Sequence, residues 1–380
     1  MLRVFFSALL VPVLVAVAAT VPVEARPKSV AGRTQNPITL GGRVFASDIS
    51  ASSPSDVWVV GFVREPGAER AAFSLHWNGS TWSVAKTPEP GSSSVLAGVT
   101  AVSTTDAWAV GWYETGRALF PLLIHWDGSR WTRVRAPRVL GLTLGAVSAD
   151  GPNDAWATGG TDRWGGRYAL TFHWDGAAWH RVPNPAPPHW SNLLSISAAS
   201  PSDAWAVGNY LAGGFGGPQR TLTMHWNGSA WTRVPSPSPR SSPTLLGVSD
   251  TSSGTAFAAG DAGTLGDVPL VIEWNGSSWR RRPVPSGPRA PTANDVAATS
   301  ASDAWVVGSV GATRTFISHW DGAAWQSVPF PNDPHTGLIA VSADAPADAW
   351  AVGWHKDSDL GSREVVVFHW NGSSWREMTP

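Results

Sequence analysis

An all-β fold, a seven-bladed β-propeller with four antiparallel strands per blade, follows from three observations on the 380-residue chain. A short run, Asp-Ala-Trp-Ala-Val-Gly or a close variant, recurs seven times. A second run, His-Trp-Asp/Asn-Gly-x-x-Trp, recurs in step with it. Each interval also holds four short strand-like segments, and no segment after the N-terminus shows a 3.6-residue apolar period. Four strands every ~45–50 residues is the pattern of a propeller blade. One blade cannot bury both faces of its sheet, whereas a closed ring of blades can.

The elements follow in order within each repeat. Strand A is a run of small and β-branched residues such as Leu96–Val102, with Ile49, Val99, Val147, Ile196, Val248, Val296 and Val341 at one equivalent position. Strand B carries the first marker, whose aromatic residue is Trp58, Trp108, Trp156, Trp205, Phe257, Trp305 or Trp350. Strand C ends at Trp77, Trp126, Trp174, Trp226, Trp274, Trp320 and Trp370, spaced 49, 48, 52, 48, 46 and 50 residues apart. Strand D begins at a further Trp, as in Trp231–Pro235. The Asp-Gly or Asn-Gly between C and D is a hairpin turn, expected to need positive φ at both residues. The two markers absorb 20 of the 24 tryptophans, which predicts indole wedges between neighbouring sheets.

These boundaries put blades at about 42–88, 94–137, 142–184, 191–237, 243–285, 291–331 and 336–380, after a lead-in at 26–41. The chain is expected to enter at strand A of blade 1 and leave at strand D of blade 7. Closure would then rest on packing between those two blades. The markers resemble those of exported bacterial propellers of the kelch and galactose-oxidase type, over Gly42 to Pro380; the resemblance implies fold rather than activity. The C–D turn also resembles the Asp box of sialidase-type propellers. It departs from it, because Asp127 to Trp131 is one residue shorter and His125 stands where that box has Ser, so no sialidase role is carried over.

Six repeats have His before the strand-C Trp (His76, His125, His173, His225, His319, His369). Six have Asp opening strand B (Asp56, Asp106, Asp154, Asp203, Asp303, Asp348). These sets sit on different blades and cannot converge on one metal ion. A hydrogen bond between Asp and His within each blade is expected instead, since buried polar groups need partners. Blade 5 loses both together, with Thr255 and Glu273 in their places. Arginine recurs just before strand C, at Arg70, Arg117, Arg167, Arg220, Arg314 and Arg363, and suits an ion pair at a blade edge or between blades. Asp48 and Asp295 share one strand-A position and are expected to be solvated residues facing the central channel.

Charged residues are only 14% and the net charge is −1, which excludes electrostatic attraction to nucleic acid. With no cysteine there is no disulfide, lipoprotein anchor, thiolate metal site or Tyr–Cys radical site. No phosphate loop, zinc-protease motif or nucleophile elbow is present, and no cofactor is expected. Function must then lie in what departs from the repeat. Because chain direction alternates, A–B and C–D turns share one end of the ring, while B–C loops and D–A linkers share the other. The second end holds Trp112, Tyr113, Trp164, His189, Trp190, Tyr210, His335, Trp354 and His355, which include all four tryptophans outside the markers. Aromatic residues on loops of a rigid scaffold suit sugar rings or a protein partner. The reading is a secreted, monomeric, non-catalytic protein that binds a glycan or protein there. The alternative is a carbohydrate-active lyase or hydrolase using His189, His335 or His355.

Residues 1–25 read as a secretory signal, with Arg3 as the n-region and Val4–Ala19 as the apolar core, and no membrane association after cleavage. Val23-Glu24-Ala25 is the cleavage site expected, and Ala16-Val17-Ala18 is its rival. N-terminal sequencing of exported protein is expected to start at Arg26, whereas an intact Met1 in the membrane fraction would refute cleavage.

Overall fold

The computed structural model describes residue 40 and residues 42–380, apart from 66, 117, 140, 164–165, 189, 264–267, 286–290, 312–313, 332–334 and 357–362. Seven sheets of four consecutive antiparallel strands make up the described residues, with no helix among them. In blade 1 the strands are Arg43–Ser53, Asp56–Arg64, Arg70–Trp77 and Trp82–Ala85. In blade 7 they are Thr336–Ala345, Asp348–Lys356, Arg363–Trp370 and Trp375–Glu377. Each strand A touches the strand A of both neighbouring blades, all the way round. The sheets therefore form a closed seven-bladed propeller with strand A innermost. No blade shares strands between the two ends of the ring.

The strand-B aromatic is the wedge between blades. Trp58 of blade 1 belongs to the apolar cluster of blade 2 and is fully buried. Its ring lies 4.8 Å from Trp126 and 4.9 Å from Trp131. The arrangement repeats, with Trp108 against Trp174 and Trp179 at 5.0 and 5.3 Å. At the seam, Trp350 of blade 7 packs against Trp77 and Trp82 of blade 1 at 6.1 and 6.3 Å. Such edge-on ring pairs add to the area they bury. The indole N–H groups of Trp58, Trp108, Trp156, Trp305 and Trp350 have no hydrogen-bond partner, so the wedges are held by area and ring contact.

The expected Asp–His bonds are present in all six blades. His Nε2 donates to the Asp carboxylate at 2.6, 2.7, 2.6 and 2.6 Å in blades 1, 2, 4 and 6. His173 and Asp154, and His369 and Asp348, are bonded in the same way. The bond holds the imidazole against the wedge of its own blade, as with His76 stacked 4.1 Å from Trp58. Blade 5 solves the same problem with other chemistry. Its wedge is Phe257, and Glu273 accepts a 2.5 Å bond from Arg282. The Arg282 guanidinium then covers Trp320 of blade 6 at 5.3 Å. A cation over an indole takes the place of the larger ring.

The marker glycine has a steric cause. Strand A carries a β-bulge in every blade, between Ala46 and Asp48 in blade 1 and between Leu96 and Gly98 in blade 2. The bulge drives the strand-A carbonyl onto strand B. A Cβ at Gly61 or Gly111 would lie 2.0 Å from the Phe45 or Val95 oxygen, so only glycine fits. In the C–D turns the expectation of positive φ at both residues fails. Only the glycine adopts it, at 89° in Gly128, while Asp127 uses its carboxylate to accept the Ser129 and Arg130 N–H groups at 2.9 Å. The strand-C Trp secures the adjacent A–B turn, as Trp126 Nε1 donates to the Thr104 carbonyl at 3.2 Å. Both kinds of turn thus share one end.

A ring of hydroxyls stitches the innermost strands together. Ser50 accepts the Ala101 N–H of blade 2 at 3.0 Å, and Ser148 accepts that of Ala198 in blade 4 at 3.0 Å. Thr100, Ser197 and Ser249 do the same for blades 3, 5 and 6. Ser342 of blade 7 accepts the Ala51 N–H of blade 1 at 3.0 Å and so closes the ring. Blade 6 has Ala297 at this position. One step along, Asp48 accepts Ile49 N–H and, from blade 2, Val99 N–H, both at 2.9 Å. Asp295 accepts Val341 N–H of blade 7 at 2.9 Å. These carboxylates are fasteners between blades, which corrects the expectation of solvated channel residues. Burial, then the Asp295 charge, pushes the Asp48 carboxyl up to about 8, and burial pushes Asp295 up to about 7.

Two outcomes follow. Trp108→Ala is expected to cost about 3–5 kcal/mol in urea unfolding, and Trp108→Phe far less, since no hydrogen bond is lost. Raised folded-state carboxyls contribute stability that is full below the ordinary carboxylate range of about 4 and is lost as pH rises through about 7–8. Urea midpoints are expected to fall from pH 5 to pH 8.5, with a shallower fall in Asp48→Asn.

Candidate functional site

The end of the ring opposite the turns is built by B–C loops and D–A linkers, and its irregularity is concentrated just after the marker glycine. That register position holds Phe62, Trp112, Gly160, Asn209, Asp261, Ser309 and Trp354 in blades 1 to 7. Three consecutive blades round the seam, 7, 1 and 2, therefore present an aromatic ring there, while blades 3 to 6 present small or polar residues. Phe62 was not singled out from the sequence, since one Phe among apolar strand residues carries no mark of its own. It stacks on Phe45 at 4.7 Å. The Arg70 guanidinium lies over the Phe62 ring at 5.5 Å and over the Trp112 ring of blade 2 at 5.3 Å. The expected edge ion pair at Arg70 is thus a cation–π contact between blades.

Trp112 and Trp354 are half-buried on this face. The Trp354 ring lies across the Gly337 backbone, where a Cβ would meet Cζ2 at 2.8 Å. His355 is half-buried, with Nδ1 3.2 Å from Thr336 Oγ1. His335 has a positive φ of 80°, and its carbonyl accepts the Lys356 N–H at 3.0 Å. Tyr113 is only 9% exposed; it stacks on Phe120 at 5.4 Å, and its hydroxyl accepts a 2.9 Å bond from Arg133. Tyr210 is tied to Arg233 in the same way, at 2.6 Å. These two tyrosines brace the edges of their blades. Trp164 and His189 lie outside the described residues.

Blade 4 adds a feature that glycine-rich sequence concealed. The B–C loop there carries Phe215 between Gly214 and Gly216, both with positive φ, and its ring is 83% exposed. It packs at 5.2 Å against Trp190, which itself has a positive φ of 57°. A large apolar ring held out by two left-handed glycines is a presented ring. Opposite Trp112 in register, Asp261 of blade 5 accepts Ala293 N–H of blade 6 at 3.0 Å, and burial pushes its carboxyl up to about 6. His335 and His355 come to one loop end of blade 7. Among the described residues no group of three or more His, Asp or Glu is arranged to hold a metal ion.

Solved structures with this architecture resemble the chain at low sequence identity. YCF48 bound to D1 peptide is 16% identical, with a TM-score of 0.52, over 86% of this chain and 96% of that one. An ulvan lyase bound to -[GlcA(1-4)Rha3S]- is 11% identical, with a TM-score of 0.55, over 89% and 96%. The Pyrococcus horikoshii acylaminoacyl peptidase is 8% identical, with a TM-score of 0.56, over 89% of this chain and 52% of that one. No protein-family model and no curated protein sequence matches the chain. These similarities establish the class, a seven-bladed propeller, and nothing narrower.

Gly337→Ala is expected to displace the Trp354 ring and cost about 1–3 kcal/mol. Urea unfolding of Gly337→Ala in a Trp354→Leu background should show a clearly smaller penalty.

Proposed function

We propose that this is an exported, non-catalytic propeller that binds a glycan or protein partner through its B–C/D–A loop face. The observation that carries the reading is the Phe215 ring, 83% exposed and backed by Trp190. Phe62, Trp112 and Trp354 add a second set of rings at the same end, on the arc of blades 7, 1 and 2. An isolated surface aromatic is ordinary, but rings gathered on one loop face of a rigid scaffold suit recognition. Sugar rings stack on such planes, and apolar side chains of a partner can cover them. The solved propellers above bear peptide or glycan in two cases, which is compatible with either ligand.

A glycan array and a peptide array probed with wild-type protein test this reading. Binding is expected, with loss of roughly tenfold or more in Phe215→Ala or Trp354→Ala, the scale of an anchor aromatic. An unchanged signal in both variants would refute it. Turnover of an arrayed polysaccharide that disappears in His335→Ala or His355→Ala would replace it with a lyase or hydrolase.

A further inference from the structure

The strand-B Asp of each Asp–His pair gives one carboxylate oxygen to the histidine, and its second oxygen needs a donor of its own. The residue four positions earlier, at the end of strand A, decides what it meets. In blades 1 and 6 this is a hydroxyl: Ser52 donates to Asp56 Oδ2 and Thr299 to Asp303 Oδ2, both at 2.5 Å. In blade 2 it is Val102, and Asp106 Oδ2 is buried without a donor among the described residues. In blades 3 and 7 it is a second carboxyl, Asp150 against Asp154 and Asp344 against Asp348, each within hydrogen-bond reach. Blade 4 has Ala199 there, and its second carboxyl comes across the joint from blade 5. Asp250 stands in place of the repeated alanine and meets Asp203.

A carboxyl can do the work of a hydroxyl only while it carries a proton. Two ionised carboxylates at that distance repel, so one of them keeps its proton. Asp348 is 6% exposed, and its Oδ2 has no donor among the described residues except what Asp344 supplies. Asp154 Oδ2 and Asp250 Oδ2 are buried in the same way. Burial, then contact with the neighbouring Asp, pushes Asp150 up to about 6 and Asp344 up to about 7; burial, then the Asp203 charge, pushes Asp250 up to about 8. Burial also raises Asp154, but the bonds from His173 and Asp150 outweigh it and hold that carboxyl below the usual range. Besides each other, the pairs face His173, His225 and His369, each bonded to its strand-B Asp. Those imidazoles back the wedges Trp156, Trp205 and Trp350, with rings 4.5, 4.6 and 4.2 Å apart. We propose that the proton shared by each pair, Asp150–Asp154, Asp203–Asp250 and Asp344–Asp348, is a removable fastener that holds the wedges at the joints of blades 3–4, 4–5 and 7–1, so that these joints are tight in mildly acid solution and loosen as pH rises. The channel carboxyls Asp48 and Asp295 act at other joints, 1–2 and 6–7, so the two sets are separable by place.

Hydrogen exchange, corrected for the intrinsic amide rate, reads each joint separately. A carboxyl that the fold keeps protonated adds stability that is full below about 4 and is lost as pH rises through about 6 to 8. Protection of the strand-B amides of blades 4 and 7, Asp203–Leu211 and Asp348–Lys356, is therefore expected to fall about tenfold or more between pH 5.5 and pH 8.5. Asp250→Ala, which restores the repeated alanine, should remove most of that fall in blade 4 and leave blade 7 unchanged. Asp344→Ser, which copies the hydroxyl of blade 1, should remove it in blade 7 and leave blade 4 unchanged. Asp48→Asn should alter neither. Val102→Asp, which builds a new pair against Asp106, should deepen the fall in blade 2, and it serves if a removal variant does not fold. Profiles of Asp250→Ala and Asp344→Ser that run parallel to wild type would overturn the proposal. So would a Val102→Asp profile identical to wild type in blade 2, or equal flattening in every blade by Asp48→Asn.

Discussion

The wedge of one blade's strand-B ring between the two tryptophans of the next is the contact on which this propeller depends. A four-stranded sheet buries one face against its neighbour only if something fills the angular gap between them, which widens outward from the channel. Indoles fill it. Trp58, Trp108, Trp156, Trp205, Trp305 and Trp350 are the largest fully buried side chains among the described residues. Burying such a ring is worth about 25 cal/mol per Å² of apolar surface, and edge-on ring pairs add to this. With no disulfide available, this repeated burial is the main cohesion. The Asp–His bond serves it by fixing an imidazole against the wedge. Blade 5, with Phe257 and the Glu273–Arg282 pair, shows that the requirement is for a filled gap rather than for one residue type.

At the inner edge the gap closes and side chains become too short to wedge. Adhesion there passes to polar groups. Hydroxyls at Ser50, Thr100, Ser148, Ser197, Ser249 and Ser342 each take a backbone N–H from the following blade; Asp48 reinforces one of these joints, and Asp295 takes the Val341 N–H at the blade 6–7 joint, where the hydroxyl position is Ala297. The Ser342–Ala51 bond and the Trp350 wedge join the first and last blades without a shared strand. The seam is thus made by the two kinds of contact that recur round the ring, and the Trp82 indole N–H also donates to the Met378 carbonyl at 2.7 Å.

The two ends of the ring have opposite characters for one reason. The turn end is consumed by its own hydrogen bonds. Asp or Asn caps each C–D turn, and strand-C indoles in six blades bind the A–B turns, so little is left over for a ligand. At the loop end no side-chain bond among the described residues is common to all the blades; the Tyr–Arg bond recurs in blades 2 and 4 alone. There the blades differ, with rings at Phe62, Trp112 and Trp354 on one arc and an outlying Phe215 on another.

Much of the architecture was legible because it repeats. Seven copies of two markers reveal strand number, blade number, wedge residues and the Asp–His pairing, since a local pattern seen seven times has few alternative explanations. The hydroxyl ring was also written in the chain, in the Ser or Thr that follows the strand-A Ile or Val in six of the seven blades. It was unreadable there, because a hydrogen bond between residues about 50 apart leaves no periodic trace beyond the residue itself. The β-bulge that makes the marker glycine obligatory was hidden for the same reason.

The loop end lay furthest from reach. The sequence placed Trp112, Tyr113, Tyr210 and Trp354 at one end of the molecule, because alternating strand direction decides that much. Burial of Tyr113, its hydroxyl bound to Arg133, presentation of Phe215, and the seat of Arg70 over rings from two blades were decided by tertiary structure. The first three depend on which side chains meet across one folded blade, and the seat of Arg70 on how far blade 2 is rotated from blade 1, an angle that exists only once the ring has closed.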